Sequence, residues 1–408
     1  MAREKPNKPP EKEILERLEW ETPHKPPQIL FLTGLKKKRS PSDTMGVSEK
    51  IKEIEDEMKR TKVNKATESH LGLLKAKLAK LRREFIKISS KKAGGGGGFG
   101  IRKSGDATVV LIGPPSVGKS TLLNRITNAD SRIAQYLFTT LTVVPGLMTY
   151  NGAKIQVLDL PGIVAGASEG KGRGKEVLSV SRSADLVLIM LDVFDTKNRF
   201  VYKELEAIGM RLDQKPPNVV ITLKKKGGVE ISSTVNLTKI TPKTVNNILS
   251  VYGIHNADIV FRENINTDQF IDAIVGNRRY VPSLLTVNKV DLVKKEYLKK
   301  IKSELSEFIP ISAENNINMG KLKKAIYEKL ELIRVYTKPR MGEADMEEPL
   351  MIQRGFTIQD VISKLRVKGM EEGFKHASIW GESAKFGGQK VGLKHILKDG
   401  DIIQITSR

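Results

Sequence analysis

The sequence predicts an α/β domain preceded by a helical hairpin, interrupted by an α+β insertion and followed by a smaller α+β module. Three observations carry this reading. A glycine-bounded loop, Gly113-Pro114-Pro115-Ser116-Val117-Gly118-Lys119-Ser120, stands between a β-branched apolar run and an amphipathic helix. Later apolar runs end on polar clusters at Asp159, Asn288 and Ser312, each at a strand end. The hydrophobic pattern resets at a glycine run near residue 94, across residues 200–280, and beyond Pro339.

Length and composition bound the rest. A chain of 408 residues holds two or three domains and can bury a proper core. There is no cysteine, which excludes disulfides and thiolate metal sites and suits a reducing cytoplasm. The five histidines show no metal-ligand spacing. No apolar run approaches the roughly 20 residues of a membrane helix, so no membrane partner is expected. The N-terminus is charged and proline-rich, without an apolar signal core. A formal net charge of +23 predicts attraction to polyanions. Like-charge solubility is the plain alternative; beside a nucleotide motif, RNA is the better reading.

In chain order, residues 1–44 carry prolines 6, 9, 10, 23, 26, 27 and 41 and the cluster Lys36-Lys37-Lys38-Arg39. They read as a disordered basic extension, with Met45 as an alternative start. Residues 45–92 read as the hairpin. One helix starts at Ser48, with Ile51, Ile54 and Met58 on one face. After a polar turn from Arg60 to Asn64, a second runs from about Ala66 to Ile88, with Leu71, Leu74, Leu78, Leu81 and Phe85 inside. Its outer face is basic, with Lys75, Lys77, Lys80, Arg82, Arg83 and Lys87. That face is either a solvated surface or an RNA contact. Gly94 to Gly98 reads as a linker.

Residues 93–199 and 281–334 read as the central domain. The loop pattern G-x-x-x-x-G-K-S binds phosphate: backbone N–H groups from Gly113 through Ser116, Val117 and Gly118 to Thr121 form an anion cradle at a helix N-terminus. Lys119 is expected to reach the β- and γ-phosphates, and the Ser120 hydroxyl to ligate Mg²⁺. Asp159-Leu160-Pro161-Gly162 reads D-x-x-G. There Asp159 holds the Mg²⁺ shell and the Gly162 N–H senses the γ-phosphate. A glycine-rich basic segment through Gly174 follows and reads as a switch. Asp185 to Asp192 is another buried strand. Asn288-Lys289-Val290-Asp291 reads N-K-x-D, whose Asp291 carboxylate accepts the guanine N1–H and 2-amino hydrogens that adenine cannot match. The backbone of Ser312-Ala313 is expected to meet guanine O6. In this order the motifs predict GTP and GDP binding with Mg²⁺.

The separation of Asp192 from Asn288 exceeds one strand–helix unit, so residues 200–280 read as an inserted α+β subdomain. Val219 to Leu223 and Val229 to Ile231 are expected to pair as a hairpin across Lys224-Lys225-Lys226-Gly227-Gly228. Helices are expected near Pro242 to Val251 and Asp268 to Val275. The central domain closes on a helix from about Gly320 to Ile333. Residues 335–408 read as the terminal module, with strands at Pro349 to Gln353, His376 to Trp380 and Ile402 to Thr406, and a helix capped by Thr357.

These motifs, with the text Asn64-Lys65-Ala66-Thr67, Leu74-Lys75-Ala76-Lys77-Leu78-Ala79-Lys80-Leu81-Arg82-Arg83-Glu84, Phe138-Thr139-Thr140-Leu141, Gly170-Lys171-Gly172-Arg173-Gly174-Lys175 and Val335-Tyr336-Thr337-Lys338-Pro339, resemble the developmentally regulated GTP-binding protein family, a branch of the Obg-related translation GTPases. The match covers about Met45 to Arg408. The resemblance implies a P-loop GTPase domain with an N-terminal helical hairpin, an inserted subdomain similar to a ribosomal-protein fold, and a C-terminal β-grasp (TGS) domain. It implies a GTPase that associates with the ribosome or its RNA through the hairpin and the TGS domain. In eukaryotic relatives a small zinc-finger protein stabilises the GTPase. The composition suggests an archaeal member.

By residue, the resemblance adds Thr140 to Ser120 and Asp159 as Mg²⁺ contacts, with Thr139 as the fallback, and makes Lys119, Thr140 and Gly162 the catalytic set. Ile163 stands where Ras-like proteins carry a water-orienting glutamine, and an apolar side chain cannot orient water by hydrogen bonding. Slow unaided turnover follows, with K⁺ or the ribosome as stimulant. Related potassium-dependent enzymes often carry asparagine where this chain has Ser116, whose hydroxyl can still ligate K⁺. The competing readings are a GTP-gated RNA-binding scaffold with negligible turnover, and the related TGS-bearing ATPases, against which Asp291 argues.

Overall fold

The computed structural model of the protein describes residues 42–62, 64, 67–92, 105–127, 144–160, 183–196, 200–207, 209–276, 278–305, 307–339, 341–365 and 372–407. The expected extension up to residue 41, the glycine linker, the run Phe138-Thr139-Thr140-Leu141 and the glycine-rich segment with Gly162 and Ile163 lie outside the described residues. The chain divides into two compact units, one from Met1–Gly94 with Lys215–Arg278 and the other from Gly95–Gln214 with Arg279–Arg408. Among the described residues no helix is long and apolar enough to cross a membrane.

In chain order the helices are α1 (Ser42–Arg60), α2 (Glu68–Lys92), α3 (Lys119–Ile126), α4 (Phe200–Ala207), α5 (Pro242–Val251), α6 (Thr267–Val275), α7 (Lys295–Glu304), α8 (Met319–Lys329) and α9 (Ile358–Leu365). The strands are β1 (Ala107–Ile112), β2 (Val144–Tyr150), β3 (Ala153–Asp159), β4 (Leu186–Asp192), β5 (Met210–Leu212), β6 (Val219–Leu223), β7 (Val229–Ser233), β8 (Ala257–Phe261), β9 (Arg279–Val281), β10 (Ser283–Asn288), β11 (Ile309–Pro310), β12 (Leu332–Thr337), β13 (Leu350–Gln353), β14 (Phe374–Trp380), β15 (Gln389–Val391) and β16 (Asp401–Ser407).

The second unit is built on a six-stranded sheet of order β11-β10-β4-β1-β3-β2. Its ladders are parallel except for β2 against β3. β1 and β4 are buried along their whole length because both faces of the sheet are covered, which is why they read as unbroken apolar runs. Val109, Leu111, Leu188 and Met190 pack with Leu122, Leu123 and Ile126 of α3 and with Leu322 and Ile326 of α8. Their neighbours Val110, Ile112, Val187 and Ile189 pack on the other side with Val201 and Leu205 of α4. Each fully buried aliphatic side chain contributes roughly 1.5–3 kcal/mol of transfer free energy. Parallel pairing brings the strand ends after Ile112, Asp159, Asp192, Asn288 and Pro310 to one edge of the sheet, where open α/β sheets bind ligands.

The last helix of this domain stops earlier than its apolar spacing suggests. α8 ends at Lys329, and Glu331 takes a left-handed backbone with φ 49°. Ile333 therefore lies in β12, not in the helix; the run Leu332-Ile333-Arg334-Val335-Tyr336-Thr337 is β-prone and joins a second sheet. That sheet has the order β13-β12-β16-β14-β15, with β12 parallel to β16. α9 packs Ile358, Val361 and Ile362 against Ile333, Val335, Ala377, Ile379 and Ile403. Its start is boxed: the Thr357 N–H donates to the Asp360 carboxylate at 2.9 Å, and the Asp360 N–H points back to the Thr357 hydroxyl at 3.4 Å. Arg334 clamps the turn before β16 through a bidentate pair to Asp399, with its Nη2 at 2.7 Å from Oδ2 and Nε at 3.1 Å from Oδ1.

In the first unit α1 begins at Ser42, so residues 42–44 belong to the hairpin and not to the extension. The expected pairing of residues 219–223 with 229–231 does not form. The sheet order is β6-β8-β7: β8 lies between them, antiparallel to β6 and parallel to β7. β8 is the apolar strand whose Ala257, Ile259 and Phe261 are fully buried, so it takes the centre and leaves the more exposed strands at the edges. α2 joins this core: Ala76 packs in one cluster with Ile248, Phe261 and Phe270.

On the basic face of α2 Lys77 and Lys80 are exposed, and three cations also have partners within this unit. Lys75 Nζ pairs with Asp268 at 2.7 Å, Lys80 Nζ donates to the Val251 carbonyl at 2.7 Å, and Arg82 pairs with Glu55 of α1 at 2.7 Å. Lys75 and Lys80 tie the hairpin to the insertion, and Arg82 ties its two helices to each other.

Candidate nucleotide site

The loop between β1 and α3 is shaped by two glycines and one strained serine. A Cβ on Gly113 would lie 2.2 Å from the Met190 carbonyl oxygen. Gly118 has a φ of +94°, and a Cβ there would lie 2.6 Å from Asn288 Nδ2. Ser116 itself adopts φ 63°, the left-handed region that non-glycine residues rarely enter. Gly118 caps α3, whose first turn, with Ser120 and Thr121, contains no acidic residue. The helix thus presents its positive end and unsatisfied N–H groups at the loop.

Lys119 is buried, and its Nζ donates to the carbonyls of Gly113 at 3.1 Å and Pro114 at 2.8 Å. Burial lowers its pKa, and the neighbouring Asp159 charge opposes that shift. The Ser120 hydroxyl donates to Asp159 Oδ2 at 2.6 Å. Burial raises the Asp159 pKa, against the Ser120 hydrogen bond and the Lys119 charge. Asp159 Oδ1 is buried with no hydrogen-bond partner among the described residues. An orphaned carboxylate oxygen beside a hydroxyl is the hard-oxygen donor set that a small divalent cation takes. The remaining expected members of this end of the site, Thr140 and Gly162, lie outside the described residues.

The base-reading end is joined to the loop by direct bonds. Asn288 is buried; its Nδ2 donates to the Val117 carbonyl at 2.8 Å, and its Oδ1 accepts the Ala313 N–H at 2.9 Å. Lys289, at φ 64°, sends Nζ to the Ser116 carbonyl at 3.0 Å and to Asp192 Oδ2 at 2.9 Å. Asp291 sits in the 3₁₀ turn Val290–Leu292 that follows. Ser312 and Ile317 form an isolated antiparallel bridge that closes the Ser312-Ala313 loop. The structure therefore gathers Gly113, Ser116, Val117, Gly118, Lys119, Ser120, Asp159, Asn288, Lys289, Asp291, Ser312 and Ala313 along one edge.

Three supporting residues escaped the sequence reading. Asp192 holds Lys289 while its Oδ1 accepts the N–H groups of Phe194 and Asp195 at 3.1 Å each. Arg125 on α3 donates to the Ala313 carbonyl at 3.2 Å and the Glu314 carbonyl at 3.0 Å. Asn315 Nδ2 donates to Asp291 Oδ2 at 2.9 Å. Asp192 left a trace, a carboxylate at a strand end on the ligand edge. Arg125 and Asn315 left none, because a lone basic helix residue and a loop asparagine are common.

A phosphate cradle, a carboxylate-hydroxyl pair and an N-K-x-D turn on adjoining strand ends define a guanine-nucleotide-binding P-loop protein. Residues 108–225 match the family described as 50S ribosome-binding GTPase, residues 226–332 the C-terminal region of that domain, and residues 333–407 the TGS domain. The chain is 52% identical over 391 residues to a GTP-binding protein of Methanocaldococcus jannaschii, covering 93% of this chain and 99% of that one. It is 48% identical to GTP-binding protein 1 of Schizosaccharomyces pombe, covering 89% of this chain and 100% of the other. It is 47% identical to developmentally-regulated G-protein 3 of Arabidopsis thaliana, covering 89% and 99%. The chain belongs to the developmentally regulated GTP-binding protein family.

Proposed function

We propose that the protein hydrolyses GTP to GDP and phosphate and serves as a switch on the ribosome or its RNA in translation. The observation that carries the chemical half is the bonded chain Ser116–Lys289–Asp192 and Val117–Asn288–Ala313, which ties phosphate cradle to base slot. In this reading, Gly113 to Thr121 wrap the phosphates and Lys119 moves from the Gly113 and Pro114 carbonyls to the β- and γ-oxygens. Ser120 and Asp159 would hold Mg²⁺, and Thr140 would be a third contact. The cation, when bound, neutralises charge that develops on the phosphate oxygens. The Gly162 N–H meets the γ-phosphate. Asn288 and Asp291 read guanine, the Ala313 N–H turns from Asn288 Oδ1 to the base oxygen, and Ser312 braces the loop by accepting the Asn315 N–H at 3.1 Å.

Rate is a separate matter from binding. Ile163 offers no hydrogen bond to the attacking water, so turnover depends on another group, on K⁺ at Ser116, or on the ribosome. The same residue favours a second reading, a GTP-gated RNA-binding scaffold with negligible turnover. Single-turnover hydrolysis in K⁺ and in Na⁺ buffers, with and without ribosomes, separates the two. Hydrolysis that stays at the buffer rate under all four conditions leaves only the scaffold.

The partner half rests on the net charge of +23 and on the family descriptions. TGS domain and hairpin are the proposed contacts, in a cytoplasmic setting, and an accessory stabilising protein is compatible with them. A pull-down at physiological salt that recovers neither ribosomal subunits nor RNA, with GDP or with a GTP analogue, defeats it.

A further inference from the structure

We propose that Asn315 is a positioning residue for guanine selectivity, holding the Asp291 carboxylate in the orientation that meets two hydrogens of the base at once. This deepens the base-reading role proposed for Asp291 and rests on it.

Asp291 is exposed and its carboxylate is free to rotate about its terminal torsion unless something holds it. The Asn315 amide is the holder: Nδ2 lies 2.9 Å from Asp291 Oδ2. Asn315 is itself fixed. Its N–H donates to the Ser312 hydroxyl at 3.1 Å, and Ser312 and Ile317 close the loop around it by reciprocal backbone bonds at 3.3 and 3.0 Å. Two further ties set the distance between the Asn315 loop and the Asp291 turn. Val290 N donates to the Ile311 carbonyl at 3.2 Å, and Ile311 N to the Val287 carbonyl at 2.9 Å. From the other side Arg125 pins the carbonyls of Ala313 and Glu314. Asn315 is thus a side-chain link across the two loops that flank the base.

A carboxylate offers about four lone-pair directions. One bond from Asn315 takes a single direction on Oδ2. Oδ1 and the second direction on Oδ2 remain, and guanine needs two acceptors, one for N1–H and one for the 2-amino group. With the rotation fixed, both bonds form without further ordering, which is how a preorganised group gains affinity. Hypoxanthine lacks the 2-amino group and needs only one acceptor, which a rotating carboxylate supplies almost as well. The link therefore favours guanine over hypoxanthine more than it favours nucleotide binding in general.

The test compares GDP and inosine diphosphate affinities of the full chain and of the variants Asn315→Ala and Asn315→Gln, with melting temperature recorded for each. The expected result for Asn315→Ala is roughly a fivefold to tenfold loss for GDP, on the scale of one ordinary net hydrogen bond, and less than a twofold loss for inosine diphosphate. Asn315→Gln retains the amide and is expected to recover at least half of the selectivity. Equal losses for the two nucleotides, or no loss for either in a folded protein, overturn the proposal. A wild-type protein that does not distinguish GDP from inosine diphosphate would instead sink the base-reading role of Asp291 itself.

Discussion

Lys289 Nζ stands 2.9 Å from the Asp192 carboxylate, an ion pair that joins the ends of β10 and β4 at the nucleotide edge. The same ammonium donates to the Ser116 carbonyl, so Asp192 fixes the phosphate loop through an intermediary. We predict that Asp192→Ala lowers GDP affinity about tenfold, the worth of one charge-assisted hydrogen bond. Titration with a fluorescent GDP derivative reads this; unchanged affinity in a folded variant refutes it.

Asp291→Asn should turn the preference from guanine toward xanthine nucleotides. An amide presents a donor where xanthine carries its 2-oxo group, and it forfeits the charge that met two guanine hydrogens. The expected fall in GDP affinity is on the order of a hundredfold. Competition between GDP and xanthosine diphosphate measures it, and retained GDP preference would show that the base is read elsewhere.

Gly118→Ala is expected to abolish nucleotide binding and to lower the melting temperature. The left-handed backbone alone costs about 1–2 kcal/mol with a Cβ, and that Cβ would sit 2.6 Å from the Asn288 amide. Asn288 would have to leave Val117 and Ala313, loosening both ends of the site. A variant that binds GDP normally shows the loop can deform.

The Arg334–Asp399 clamp gives the C-terminal module a pH dependence. The Arg334 hydrogen bonds hold the Asp399 pKa below its ordinary value. A carboxylate with a depressed folded pKa stabilises the fold fully above its unfolded value, near pH 4, and loses that contribution as pH falls through the folded value. Both side chains are substantially exposed, so screening limits the worth of the pair to about 1 kcal/mol. Asp399→Asn should lower the melting temperature at pH 7 and converge with wild type near pH 2. Parallel melting curves across that range would exclude the clamp as the source.

What the sequence disclosed was chemistry carried by contiguous text. Gly113 to Ser120, Asp159, and Asn288 to Asp291 could be read because the backbone demands of a phosphate loop and the hydrogen-bond pattern of guanine restrict residue types over short spans. Strand pairing was harder. Val219 to Leu223 and Val229 to Ile231 read as a hairpin because the Lys224–Gly228 connection is a good turn, yet the more apolar β8, some 30 residues on, displaces the local partner. Ile333 fits a helical spacing and a strand alternation equally, and only the left-handed Glu331 decides. Asn315 and Arg125 act through the loops they hold, and no sequence pattern marks a residue whose role is to orient another.

The ion pairs of Lys75 and Arg82 have a consequence in the thermodynamics of polyelectrolytes. Each phosphate neutralised by a free cation releases condensed counterions and steepens the dependence of binding on salt by about 0.7 to 0.9 in logarithmic slope. Cations already paired with the carboxylates of Asp268 and Glu55 release none, whereas Lys80, whose partner is the neutral Val251 carbonyl, keeps its charge. RNA association through α2 should therefore show a slope about 1.5 units shallower than its basic residues alone would give, and raising the ionic strength should weaken these two ion pairs as well as the grip on RNA.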